Sequence, residues 1–127
     1  MTIAFWCLLV ALFLPYLFTA FAKFTRGFGP KENHYPRAWE DKLDGPQQRA
    51  HWAQLNSFEV TPAFAAAVLV AHHIGSAAQG TIDGIALAFV ASRVMYGICY
   101  IGDWASARTL IWSFGMGCII ALFVVSA

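Results

Sequence analysis

At 127 residues the chain is long enough for one ordinary domain and too short for two. Its composition is 59% hydrophobic and 12% charged, about half the charged fraction of a soluble chain, and the apolar residues lie in long blocks; a soluble protein is excluded and an all-α integral membrane protein is expected. A formal charge of +1, with no basic cluster beyond one loop, gives no reason for a nucleic-acid partner.

The first apolar block, residues 3–23, reaches ~30 Å as a helix and therefore spans a bilayer. Ala20-Phe21-Ala22 resembles a signal-peptide cleavage site, but no Lys or Arg precedes the block and it is longer than the apolar core of a signal peptide. An uncleaved helix is expected, with Pro15 as a possible kink. Residues 24–47 are polar and contain Gly27, Gly29, Pro30, Pro36 and Gly45, which predicts a loop with at most a short interfacial helix. Lys23, Arg26, Lys31, Arg37, Lys42 and Arg49 gather in and beside it. Positive charge favours the cytoplasmic side, so this loop is expected inside and both termini outside, in the cell's inner (plasma) membrane.

The second span is expected over residues 48–74, with Pro46 near a first-turn position and His72 and His73 at the far interface, in contact with solvent or headgroups. Spans over 81–101 and 107–125 follow after short turns, which implies antiparallel neighbours in a four-transmembrane-helix bundle. Ser113, Gly117 and Ala121 recur every fourth position as a packing seam. Cys7, Cys99 and Cys118 sit singly in apolar blocks, which predicts buried thiols and no metal site.

Chemistry enters where the second span begins. Arg49, Trp52, Asn56 and Glu59 share one face on a 3.6-residue period, and a carboxylate at membrane depth needs a partner. The third span carries Arg93, Tyr96 and Tyr100 at spacings of three and four. Counting from the shared inner ends of these antiparallel helices, Glu59 lies ~14 Å deep, Arg93 ~12 Å, Asn56 ~9 Å and Tyr96 ~8 Å. The expectation is a layered cleft: opposed Glu59 and Arg93 deepest, Asn56 and Tyr96 above them, and Tyr100, Arg49 and Arg108 at the mouth.

A structural account is also open, in which a Glu59–Arg93 pair fixes helix register, mouth arginines snorkel to headgroups and interfacial aromatics anchor helices. The larger inventory suits an elongated, anionic, peptide-like ligand. Arginines would pair with carboxylates, Glu59 would accept from an ammonium and Asn56 would bond an amide. An arginine or a phenol beside a bound thiol stabilises a developing thiolate, which makes Arg108 and Tyr100 the candidate activators.

Two stretches, Arg49-Ala50-His51-Trp52-Ala53-Gln54-Leu55-Asn56-Ser57-Phe58-Glu59-Val60-Thr61-Pro62 and Arg93-Val94-Met95-Tyr96-Gly97-Ile98-Cys99-Tyr100, followed by Arg108, resemble the MAPEG family of membrane-associated proteins in eicosanoid and glutathione metabolism. The resemblance covers nearly the whole chain and implies a four-helix protomer in a homotrimer, with glutathione as co-substrate between protomers near the cytoplasmic face. By the same resemblance Asn56 and Glu59 stand at glutathione-contacting positions, Arg93 at a deep third-helix arginine, Tyr96 and Tyr100 at ligand-lining positions, and Arg108 near the thiolate-activating arginine.

The chain departs from the family pattern where Trp52 replaces an arginine four residues before the motif asparagine, and in a shorter Tyr100–Arg108 gap. The implied function is a membrane-bound glutathione-dependent transferase or peroxidase acting on lipophilic electrophiles or hydroperoxides, small molecules that enter from the surrounding membrane lipid. The alternative is a non-catalytic lipid- or small-molecule-binding protein of the same fold. No paired inverted repeat supports a transporter.

Overall fold

The computed structural model describes residues 1–127 and contains helices and turns only. In chain order the helices are α1 (Ile3–Arg26), α2 (Pro36–Glu40), α3 (Gly45–Ile74), α4 (Gln79–Ile101) and α5 (Ala105–Ser126). All but the short α2 are long and apolar enough to cross a membrane. Their boundaries follow from local chemistry. The Thr2 hydroxyl accepts the Phe5 N–H at 3.4 Å and opens α1. Gly27 (φ 74°) and Gly75 (φ 69°) close α1 and α3 in the left-handed conformation that a side chain resists. Pro46 occupies the first turn of α3, where no intrahelical N–H is needed. Both α1 and α3 continue unbroken through Pro15 and Pro62.

The polar connection is more ordered than its composition predicts. The first helix runs on to Arg26, because Lys23 and Arg26 sit in its last turn, where the helix dipole favours cations. A 3₁₀ turn over Glu32–His34 and then α2 fill the rest. Arg26 pairs with Asp44 across the connection, Trp39 meets Phe28 edge-on at 5.0 Å, and Leu43 is buried.

The helix α1 packs along α3, and α4 along α5. Two apolar cores result. One joins Ala4, Cys7 and Ala11 to Phe64, Val68, Phe89 and Leu122, with the Phe64 and Phe89 rings stacked at 3.9 Å. The other joins Leu14, Phe18 and Ala22 to Leu43, Ala50, Ala53 and Tyr96. Along α3 and α4 a buried polar layer of Ser57, Thr61, Ser92 and Arg93 comes between them. Outward-facing Trp6, Phe13, Leu17, Leu110, Ile120 and Val124 are each more than half exposed, as lipid-facing side chains are. The three cysteines are buried and unpaired, in agreement with their apolar settings.

At the end away from the long connection the expectation for His72 needs correction. It is half-buried rather than free in solvent or headgroups. Its Nδ1–H donates to the Val68 carbonyl at 2.8 Å, which leaves Nε2 to accept from Thr2 Oγ1 (3.1 Å) and Gln79 Nε2 (3.3 Å). Beside it Asp83 accepts the Ala4 N–H at 2.8 Å and Gln79 Nε2 at 2.9 Å. A carboxylate from α4 thus satisfies the N-terminus of α1, an arrangement that the helix dipole favours. The pairing is invisible to single-helix reading because Asp83 and Ala4 are remote in sequence.

Close approach of α1 to α4 is set by Gly97, where a Cβ would fall 2.2 Å from the Phe18 ring. Phe18 is itself 8% exposed and has little room to move. Gly97→Ala is therefore expected to destabilise the fold by about 1–3 kcal/mol, seen as a lowered melting temperature in detergent. An unchanged melting temperature would mean that Phe18 yields freely.

Candidate functional site

The site starts from a buried cation. Arg93, 3% exposed, projects from α4 toward α3, and its Nη2 donates to Asn56 Oδ1 at 2.9 Å and to Ser57 Oγ at 3.1 Å. Ser57 in turn donates to the Ala53 carbonyl at 2.8 Å, so its one proton is committed and its oxygen is left to accept from Arg93. The Arg93 guanidinium also lies 4.1 Å from the centre of the Tyr96 ring, a favourable placement of a cation over an aromatic face.

That bond fixes the Asn56 amide. Arginine only donates, so Oδ1 must face it, and Nδ2 is turned outward to donate to Glu59 Oε2 at 3.4 Å. The expected direct Glu59–Arg93 pair is not formed. Arg93 points inward between helices while Glu59 stands on the exposed face of α3, and Asn56 bridges them. Helical periodicity gave both residues the same depth, but a shared depth does not make two side chains turn toward each other.

Above this layer Trp52, Leu55, Asn56, Glu59, Tyr96 and Tyr100 line an open groove of about 430 Å³. An adjoining cleft of about 240 Å³ shares Asn56 and Tyr96 and adds Arg108, Thr109 and Trp112. The two form lobes of one site, acidic at Glu59 and basic at Arg108. Tyr96 and Tyr100 meet edge-on at 5.5 Å, and the Arg108 guanidinium lies 4.2 Å from the Tyr100 ring centre. The intervening turn sets that placement: Gly102 N–H and Trp104 N–H return to the Ile98 and Cys99 carbonyls, both at 2.9 Å, and Asp103 takes the left-handed conformation (φ 61°).

Arg49 lines neither lobe. Its Nε and Nη2 both donate to the Ile101 carbonyl at 3.0 Å, closing the C-terminus of α4 one residue beyond Tyr100. It acts on the site by holding that helix end. Of the residues expected from sequence, Asn56, Glu59, Tyr96, Tyr100 and Arg108 come together around the two lobes, Arg93 supports them from beneath, and Arg49 anchors the rim. Ser57, Leu55 and Thr109 were not singled out in sequence. Ser57 and Thr61, four residues apart and both bonded back to the preceding turn, carried a readable sign of an internal polar stripe.

The MAPEG family model matches residues 3–127. No curated protein and no solved structure matches the chain.

The geometry separates support from contact. Asn56→Leu leaves the buried guanidinium with Ser57 as its one remaining side-chain hydrogen-bond acceptor and is expected to lower stability by about 1.5–3 kcal/mol. Glu59→Gln, at an exposed position with one long contact, is expected to change it by less than about 0.5 kcal/mol. Thermal unfolding of both variants in the same detergent checks the contrast.

Proposed function

The chain belongs to the MAPEG family, and on that premise we propose that it is a membrane-bound glutathione-dependent transferase or peroxidase acting on lipophilic electrophiles or hydroperoxides. Family membership makes it a membrane protein of the glutathione and eicosanoid metabolism kind, and the narrower reading rests on the two-lobed groove. A carboxylate at one end and a guanidinium at the other, with Asn56 and Tyr96 between them, match a peptide that carries an ammonium, an amide and a thiol.

In this reading Glu59 accepts from the ammonium, Asn56 and Tyr96 hold the peptide backbone, and the thiol lies by Arg108 and Tyr100. A guanidinium and a phenol beside sulfur favour the thiolate by charge and hydrogen bonding. In transfer, that sulfur forms a bond to an electrophilic carbon and displaces its leaving group. In peroxide reduction, two thiols are oxidised to a disulfide while the hydroperoxide becomes an alcohol and water. Arg93 and Arg49 serve as positioning residues, the first through Asn56 and the second through the end of α4. The lipophilic partner would enter from the bilayer.

We further propose a homotrimer. In a single copy Glu59 is exposed at membrane depth beside Phe58 (39% exposed) and Leu55 (45% exposed), a placement that hydrocarbon does not tolerate uncovered. A neighbouring copy closing the groove would remove that exposure. The second reading, a non-catalytic lipid- or small-molecule-binding protein, is favoured by one observation: Trp52 and Leu55 make the outer wall of the larger lobe apolar.

Titration of glutathione into purified protein is expected to produce thiolate absorbance in the ultraviolet difference spectrum and turnover with hydroperoxides or generic electrophiles. Arg108→Ala should retain binding and lose turnover by about 100-fold. Glu59→Ala should lose binding. A silent spectrum at saturating glutathione, together with lipid that copurifies and no turnover, would establish the non-catalytic reading instead.

A further inference from the structure

Away from the two-lobed site, two more grooves lie along α1 and the polar connection that follows it. The first, about 330 Å³, runs beside α1 from Tyr16 past Ala20 to Lys23, Phe24 and Phe28. Between Tyr16 and Lys23 the helix rises ~10 Å, and the one charge in this apolar groove stands at the end where α1 leaves the membrane. The second, about 280 Å³, is lined by Lys31, Glu32, Tyr35, Ala38, Trp39 and Lys42. The two meet where Trp39 and Phe28 pack edge-on at 5.0 Å. Lys23 Nζ lies 4.1 Å from the centre of the same Phe28 ring, so its ammonium sits at that junction.

Charge at the junction is not balanced from within. The connection carries four acids, Glu32, Glu40, Asp41 and Asp44, and only Glu32 lines either groove. Asp44 pairs with Arg26, and Glu40 faces His51 at 3.8 Å. Glu32 accepts the Gly29 N–H at 2.9 Å and keeps its charge. Against that one carboxylate stand three lysines, Lys23, Lys31 and Lys42, none of them in an ion pair, so the combined lining carries a net +2. Lys31 and Lys42 are exposed beside Tyr35 and Trp39, the mixture of ammonium groups and amphipathic rings that suits headgroup level. An apolar channel that ends in unpaired ammonium groups follows the order of chemistry along a phospholipid.

We propose that the two grooves together hold one anionic phospholipid, with an acyl chain along α1 between Tyr16 and Phe28 and the headgroup phosphate in the lysine-lined groove. Positive charge favours the cytoplasmic side, whose leaflet carries the anionic lipid, so the bilayer itself supplies the ligand. The site shares no residue with the two-lobed groove and does not depend on the glutathione reading.

Native mass spectrometry of the full chain tests the proposal, with the protein released from nanodiscs that contain phosphatidylglycerol and phosphatidylcholine in equal amounts and with matched acyl chains. Phosphatidylglycerol is expected to be retained about tenfold over phosphatidylcholine, within what three lysines at the membrane surface supply. Lys31→Gln with Lys42→Gln is expected to reduce that ratio to about twofold, whereas Lys31→Arg with Lys42→Arg keeps it. Ala20→Phe fills the apolar groove without altering a charge and is expected to lower the phosphatidylglycerol retained. Glycerol 3-phosphate, which has the anionic head and no chain, should not displace the lipid.

Equal retention of the two lipids overturns the inference, and so does a preference that survives Lys31→Gln with Lys42→Gln, since the contact would then lie elsewhere. Unchanged retention in Ala20→Phe removes the acyl chain from the groove and overturns it too. Displacement by glycerol 3-phosphate overturns it in favour of a small-anion site. Oligomers that carry no lipid overturn it in favour of a second copy seated over α1.

Discussion

A guanidinium held between two apolar cores has to be hydrogen-bonded within the protein, and the arrangement around Arg93 follows from that constraint. Its partners are a neutral amide, a hydroxyl and an aromatic face, with no carboxylate in direct contact. Satisfying the cation fixes α3 against α4 and sets the orientation of the Asn56 amide. Because that amide can present only its N–H groups outward, the buried charge dictates which amide atoms face the groove.

The groove itself is organised by opposite chemistry at its two ends. Glu59 stands on the exposed face of α3, whereas Arg108 is brought over Tyr100 by the tight turn after α4. Arg49 closes the end of α4 at the same level, so the rim is fixed by a side chain that takes no part in the lining. Asp83 does the corresponding work at the opposite end of the bundle, satisfying the first turn of α1 from α4. Helix ends in a membrane protein leave unpaired backbone groups near hydrocarbon, and here both ends borrow partners from a neighbouring helix.

Small residues make these contacts possible. Gly97 admits the Phe18 ring, and Gly115 admits the Ser92 hydroxyl, which a Cβ would meet at 2.9 Å. Gly97 follows Tyr96 directly, so the closeness of α1 and the direction of that phenol are set within one turn of α4. Packing and site are one problem here, because the same helix turns supply both.

The amino-acid sequence by itself determined the four membrane helices, their order and the polar positions toward the start of α3 and the end of α4, because hydropathy and helical periodicity are local properties of the chain. It also placed Asn56, Glu59, Tyr96, Tyr100 and Arg108 near a common level, and they do border the two lobes. Only the tertiary structure decided the partners. Arg93 turned to Asn56 and Ser57 rather than Glu59, Arg49 to a backbone carbonyl, and His72 to Thr2 and Val68. Depth along a helix is fixed by counting residues, whereas the direction in which a side chain finds its hydrogen bonds depends on how the neighbouring helices are rotated, and that emerges only when their faces pack.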